Sequence, residues 1–197
     1  MPIPPSTVVC DAQAAAAAAE ELGFPIALKA LGVAHKTESG GVALGLCSAD
    51  EVSVALAEMS HLSESFLIEK MVEDVVAELI VGVARDEQFG PYLLVGGGGI
   101  LVEMMNDSAS LLLPVTGERV REALEGLKCA PLFRGFRGRP KADLVAATEA
   151  ILAVAKMVEV DPSLIVELDI NPLMLLAEGR GAVAADALIS LREDSDV

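Results

Sequence analysis

The chain has 197 residues, enough for one large domain or for two smaller lobes. Its 30 Asp and Glu outnumber 14 Lys and Arg, for a net charge of -16 and a pI near 4.4. A surface so short of positive charge cannot neutralise a run of phosphates, which excludes nucleic acid and anionic lipid as general partners. Hydrophobic residues make up 53% of the chain, yet no uninterrupted apolar run reaches the roughly 18 residues of a membrane span. The opening MPIPPSTVV lacks the basic and apolar regions of a signal peptide. Cys10, Cys47 and Cys129 are odd in number and far apart, which matches neither a disulfide framework nor a zinc site. A cytoplasmic protein with reduced thiols is expected.

In chain order, DAQAAAAAAEELG reads as one helix, opened by Asp11 as N-cap and closed by Gly23. PIALKA (25–30) and GVALGL (41–46) read as short strands on either side of the loop LGVAHKTESG. A helix over 49–60 and a strand SFLIEKMV follow. From Ala77 the strands crowd together as AELIVGVARD, PYLLVGGGGILVEMMND and SLLLPV, parted by turn residues, which predicts an antiparallel or mixed sheet. Helices are predicted over 117–127 and 142–158. In the second, Leu144, Thr148, Ile151, Ala155 and Val158 recur at helical spacing. The chain closes with LIVELDI, the hairpin LMLLAEGRGAVAADALI and an acidic tail. This pattern predicts an α+β protein with a small first lobe over 1–71, a larger one over 72–190 and a tail over 191–197.

Several residues stand out as candidates. A hairpin turn at Glu178–Gly181 would pair Leu173 with Asp186 and put Asp169, Asn171 and Asp186 on one face. Asn171 would then lie diagonal to Asp186, about 7 to 8 Å away at Cα, close enough for two oxygen ligands to share one hard cation such as magnesium. The alternative is that Asp169 and Asn171 merely end a strand and Asp186 starts a turn. The run Gly96–Gly99, with Gly97 and Gly98 at its centre, would expose backbone N–H groups to an anion or serve as a flexible connection; it meets neither the Walker nor the Rossmann pattern. Lys29 either snorkels to solvent or presents a point charge to phosphate. FRGFRGRP gathers Arg134, Arg137 and Arg139 between glycines, an anion-binding composition. Glu69 and Glu78 bracket the expected junction of the lobes. His35 sits alone in its loop.

Six blocks, FPIALKA, HKTESGGVALGL, AELIVGVARDEQFGP, GGGGILVEMMND, PLFRGFRGRPKADL and ELDINPL, stand in the same order as in the ATP-grasp domain of NDP-forming acyl-CoA synthetases. The chain resembles that family over nearly its whole length. The family includes ADP-forming acetyl-CoA synthetase and, more distantly, succinyl-CoA synthetase. The resemblance implies two lobes with the nucleotide between them, ATP or ADP with Mg2+ as cofactors, and conversion of acyl-CoA, ADP and phosphate to acid, CoA and ATP, or the reverse.

It further implies that Lys29 holds the nucleotide phosphates, that Glu69, Lys70 and Met71 form the hinge whose backbone reads the base, and that Glu78 meets the nucleotide near its ribose. Asn171 and Asp186 resemble the magnesium ligands, with Asp169 beside them. His35 matches the histidine of an HK(S/T)-x-x-GG motif, a phosphorylated relay residue; Arg137 and its neighbours would help dock phosphate. The chain lacks CoA-binding and ligase domains, which implies a partner subunit or the rest of a longer polypeptide. It also begins where family domains usually carry a preceding helix, so an excised or shortened domain is expected. A non-catalytic ATP-sensing or scaffolding domain is the alternative function. A carboxylate-amine ligase of the same fold has no use for the HKTESGG block.

Overall fold

The structure, a computed structural model, describes residues 1–33, 39–99 and 107–192. The chain divides into two compact units, Pro4–Glu73 and Asp74–Val197, the second also taking in Met1–Ile3. Among the described residues no helix is long and apolar enough to cross a membrane.

In the smaller unit, strands β1 (Ser6–Val9), β2 (Ile26–Ala30), β3 (Val42–Leu46) and β4 (Phe66–Lys70) form an antiparallel sheet in the order β1-β4-β2-β3. Helices α1 (Ala12–Leu22) and α2 (Ala49–Met59) supply the rest of its core. Each begins on a side chain that takes up an orphan N–H: Asp11 accepts from Ala14 N at 2.8 Å, and Ser48 from Glu51 N at 3.2 Å. Alternation in the central strands sorts their faces. Ile26, Leu28 and Ala30 on β2, with Phe66 and Ile68 on β4, pack with Ala15, Ala19, Val52 and Leu56 of the helices. Ala27, Lys29, Leu67 and Glu69 take the opposite face. β1 was not predicted; the prolines before it masked a strand of only four residues.

The larger unit is built on β5 (Ala77–Asp86), β6 (Gly90–Gly97), β7 (Ser108–Leu112), β8 (Ile165–Leu175), β9 (Ala182–Ala184) and β10 (Ala187–Leu191). Their order is β10-β8-β5-β6-β7 with β9 also on β8, and every pairing is antiparallel. Helices α3 (Gly117–Gly126), α4 (Ala130–Phe133) and α5 (Leu144–Val160) share its core. Val81, Val83, Leu93, Val95, Leu168 and Ile170 point into that core with Val120, Leu124, Ile151 and Val158. The intervening residues Glu78, Gly82, Leu94 and Asp169 lie on the other face of the sheet.

One feature of β8 corrects the sequence expectation. Arg180 N donates to Ala177 O at 2.8 Å, so the turn is centred on Glu178–Gly179, where Gly179 (φ 81) supplies the left-handed conformation. Leu173 therefore pairs with Ala184, not with Asp186. The hairpin is shifted by two residues, and Asn171 comes directly opposite Asp186 instead of diagonal to it, its N–H donating to the Asp186 carbonyl at 3.1 Å.

Candidate functional site

In the smaller unit, the β2–β4 register sets Lys29 opposite Leu67 and Ala27 opposite Glu69, so Lys29 and Glu69 are diagonal neighbours on the face away from the helices. Lys29 Nζ lies 2.6 Å from Glu69 Oε1, and both side chains are only 9% exposed. Two buried opposite charges so placed satisfy one another, and an ammonium there is a fixed cation in a region poor in water. At the end of the same strand, Lys70 N donates to Pro5 O at 2.9 Å and Met71 N to Pro25 O at 3.1 Å. Met71 Sδ accepts from Gly45 N at 3.0 Å.

In the larger unit, the bulge that re-aims β8 is visible in its burial. Ile170 and Leu173 are both buried, at 2% and 0% exposure, with two residues between them where strict alternation allows one. The β5–β8 register slips at the same level, between Leu79 and Val81. Asn171 and Pro172 are the displaced residues, and Asn171 is exposed beside Asp186. Asp169, two residues earlier, is partly buried and faces Gly82, whose missing side chain leaves its Oδ1 3.9 Å from where a Cβ would stand. Glu78 lies near the start of β5. Gly98 N donates to Glu78 O at 2.8 Å, and a Cβ on Gly98 would stand 3.0 Å from Glu78 Cβ. The glycine run thus has a steric reason of its own. Gly96 and Gly97 end strand β6, and Gly98 lets the chain cross Glu78 closely.

The arginine segment forms a short 3-10 turn, Phe136–Gly138, in which Arg137 adopts a left-handed conformation (φ 53) and stacks on the Phe136 ring, 5.2 Å from its centroid. Arg134, Arg137 and Arg139 are all exposed. The segment borders two open pockets of about 320 Å³ each, one lined in part by Arg134 and Lys141, the other by Arg139, Arg180 and Asp74.

Two carboxylates not singled out in the sequence hold this unit together. Asp107 is buried and accepts from Lys128 N at 2.7 Å and Cys129 N at 2.8 Å. Burial alone would raise its pKa, but these N–H bonds prevail and hold it below the ordinary carboxylate value. Burial, helped by the same carboxylate, pushes the Cys129 thiol up to about 12. Asp143 caps α5, accepting from Ala146 N at 3.0 Å and Gly181 N at 2.9 Å; the Ala146 bond leads the causes that lower its pKa. An aspartate directly before an apolar helical run was the legible signal for Asp143. Nothing local marked Asp107.

His35 lies outside the described residues, so its candidate role rests on sequence. Asn171 and Asp186, with Asp169 beside them, offer oxygen donors only, the chemistry a hard cation selects. Among the described residues no group of three or more His, Cys, Asp or Glu could hold a metal by itself. The donor set therefore fits an ion that takes the rest of its ligands from a bound phosphate and water, and does not fit a self-sufficient metal centre.

A family model described as an ATP-grasp domain matches residues 1–191. Trans-feruloyl-CoA synthase FCS1, from an unknown prokaryotic organism, is 38% identical over 197 aligned residues, covering 94% of this chain and 28% of that protein. The beta subunit of acetate--CoA ligase [ADP-forming] II from Pyrococcus furiosus is 30% identical, covering 98% of this chain and 86% of that subunit. Among solved structures, the dinucleotide-forming acetyl-coenzyme A synthetase 1 of Ca. Korarchaeum cryptofilum superposes with a TM-score of 0.80 at 31% identity, covering 97% of this chain and 85% of that chain. That structure is a complex with coenzyme A and Mg-AMPPCP in which a phosphohistidine segment points towards the nucleotide-binding site. The chain thus spans less than a third of the single-chain synthase and most of the separate beta subunit.

Proposed function

The chain belongs to the ATP-grasp domain family, and from that premise we propose that it is the nucleotide-binding, phosphoryl-transferring module of an NDP-forming acyl-CoA synthetase. The observation that carries the reading is the pairing of Asn171 with Asp186 on a bulged strand of the larger unit. There the irregularity of the strand accompanies two residues with side-chain oxygens set opposite one another.

In this reading Lys29, held by Glu69, fixes the nucleotide phosphates as a point charge. The backbone at Glu69–Met71 reads the base, and Glu78 meets the ribose. Asn171 and Asp186 would hold Mg2+, and Asp169 beside them would orient the ion or the phosphohistidine site; the ion, when bound, would offset charge on the phosphates. His35 accepts the γ-phosphoryl group on a neutral imidazole nitrogen. The bond from the γ-phosphorus to the bridging oxygen breaks, a phosphorus–nitrogen bond forms, and ADP leaves with the electron pair. The reverse step makes ATP.

A CoA-binding and ligase partner, as a separate subunit or as the rest of a longer chain, completes the reaction. Support comes from the relatives: one is a separate beta subunit, another a single chain more than three times as long as the part matched. The exposed cations at Arg134, Arg137 and Arg139 suit docking of phosphate or of that partner. A cytoplasmic setting suits the three free cysteines.

The test is incubation with ATP labelled on the γ-phosphate and Mg2+, with and without a CoA-binding partner, followed by assay for acid-labile, base-stable label. Label in the wild type that is lost in His35→Ala supports the relay. Equal label in the two proteins overturns it.

A further inference from the structure

Lys70 ends β4, but alternation turns its side chain away from Glu69. Phe66, Ile68 and Lys70 share one face of the strand, and Phe66 and Ile68 are buried against the helices, at 2% and 0% exposure. Its register partner Ile26 is also fully buried. On that side Lys70 Nζ donates to Phe24 O at 2.6 Å and to Gly23 O at 3.2 Å. These carbonyls belong to Gly23, the C-cap of α1, and to the residue after it, so the ammonium stands just past the helix end where the dipole is negative. The last turn of α1 contains no basic residue, and Glu20 and Glu21 near its end add negative charge. Pro25, next in line, has no N–H to give. Lys70 supplies from β4 the cation that this helix end lacks, and donors for the two carbonyls that follow it.

The same two residues of chain are gripped by their backbone and by a neighbouring side chain. Lys70 N is bonded to Pro5 O, Met71 N to Pro25 O, and Gly45 N to Met71 Sδ, at 2.9, 3.1 and 3.0 Å. Three separate segments, at Pro5, Gly23–Pro25 and Gly45, converge on Lys70–Met71. A stretch so held has one position.

We propose that Lys70 is a positioning residue. Its ammonium binds the end of α1 and thereby fixes the backbone that reads the base, and it does not itself take a phosphate. The proposal rests on the nucleotide-binding reading above and deepens it. It also gives different roles to the two lysines of neighbouring strands β2 and β4. Lys29 and Lys70 stand on opposite faces of one sheet, the first beside a carboxylate and the second on carbonyl oxygens.

The experiment measures dissociation constants of the intact chain for ATP, ADP and AMP with Mg2+, by calorimetry, for wild type, Lys70→Met, Lys70→Arg and Lys29→Met. Loss of a base-reading backbone weakens all three nucleotides by one common factor, roughly tenfold for Lys70→Met. Lys70→Arg, which keeps donors toward the two carbonyls, restores most of it. Lys29→Met penalises ATP more than AMP. A loss for Lys70→Met that grows from AMP through ADP to ATP overturns the proposal, because it marks a phosphate ligand. A lowered melting temperature with unchanged nucleotide affinity overturns it as well, leaving a helix cap and nothing more. If Lys70→Met fails to fold, Lys70→Gln, which retains one donor, takes its place in the same comparison. A wild type that binds no nucleotide overturns the function itself, and this proposal with it.

Discussion

Lys29 Nζ and Glu69 Oε1 are 2.6 Å apart, diagonal on neighbouring strands and almost without access to water. Such a pair resists the loss of one member far more than the loss of both, because removing one leaves a charge buried and unmatched. Lys29→Met and Glu69→Leu are each expected to lower stability by about 3 to 5 kcal/mol. The double variant Lys29→Met/Glu69→Leu is expected to recover much of that loss while binding ATP poorly. Urea unfolding of the four proteins, analysed as a double-mutant cycle, checks the coupling. Additive single effects would show that the pair is not coupled.

The crossing of Gly98 over Glu78 leads to a second expectation. A methyl group on Gly98 would meet Glu78 Cβ at 3.0 Å and its carbonyl carbon at 3.1 Å, neither of them the free end of a flexible side chain. Gly98→Ala must therefore push the start of β5 aside, at a cost of about 1 to 3 kcal/mol. Nucleotide affinity should fall with it if Glu78 meets the ribose. Gly126→Ala, at a helix end with open space around it, serves as the control and should change neither quantity appreciably. Thermal melts and nucleotide titrations of both variants give the answer.

Much of this architecture was legible before any coordinates. The caps at Asp11 and Gly23, the apolar period of the helix now seen at Leu144–Val160, and the crowding of strands after Ala77 each express local chemistry, and each appears as expected. What sequence left unread depends on register and on distance along the chain. The hairpin turn fell one residue from its expected centre, which moves each pairing by two, because the stretch Glu178–Gly181 holds two glycines, and local pattern cannot choose between Gly179 and Gly181 when both have positive φ. Asp107 bonds to residues 21 and 22 positions away, and Lys29 to one 40 away. Lys70 could be assigned a face only once Phe66 and Ile68 had shown which side of β4 the helices cover.

The direct opposition of Asn171 and Asp186 yields a third expectation, about the cation. If the two side chains share a magnesium ion that also binds phosphate, then Asn171→Ala and Asp186→Asn should each raise the Mg2+ concentration needed for half-maximal ATP binding by roughly ten- to a hundredfold. Because the ion would rely on the nucleotide for its remaining ligands, binding of adenosine, which has no phosphate, should be unchanged. Calorimetric titrations at several Mg2+ concentrations separate the two effects. Equal loss for adenosine and ATP would assign these residues to the folding of the hairpin.

The last expectation concerns acid. Asp107 gives both carboxylate oxygens to backbone N–H groups, of Lys128 and Cys129, and its pKa is held below the ordinary value. A carboxyl group with a depressed folded-state pKa stabilises the fold fully above its unfolded value of about 3.9, and that contribution drains away as pH falls through the folded-state value. Asp107→Asn keeps one acceptor but turns an amide group toward the second N–H, so it should cost about 1 to 3 kcal/mol at neutral pH. Below about pH 4 the carboxylate of the unfolded wild type begins to take up its proton while that of the folded protein still resists it, and the stability gap between the two proteins should narrow. Asp143 and Asp161 are also held low, but both proteins share them, so their titration cancels in the difference. The Cys129 thiol, raised to about 12, stays protonated throughout and adds nothing to the slope. Urea unfolding of the pair across the acid range reads the gap directly. A gap constant with pH would mean that the N–H groups need only an oxygen at this position, whatever its charge.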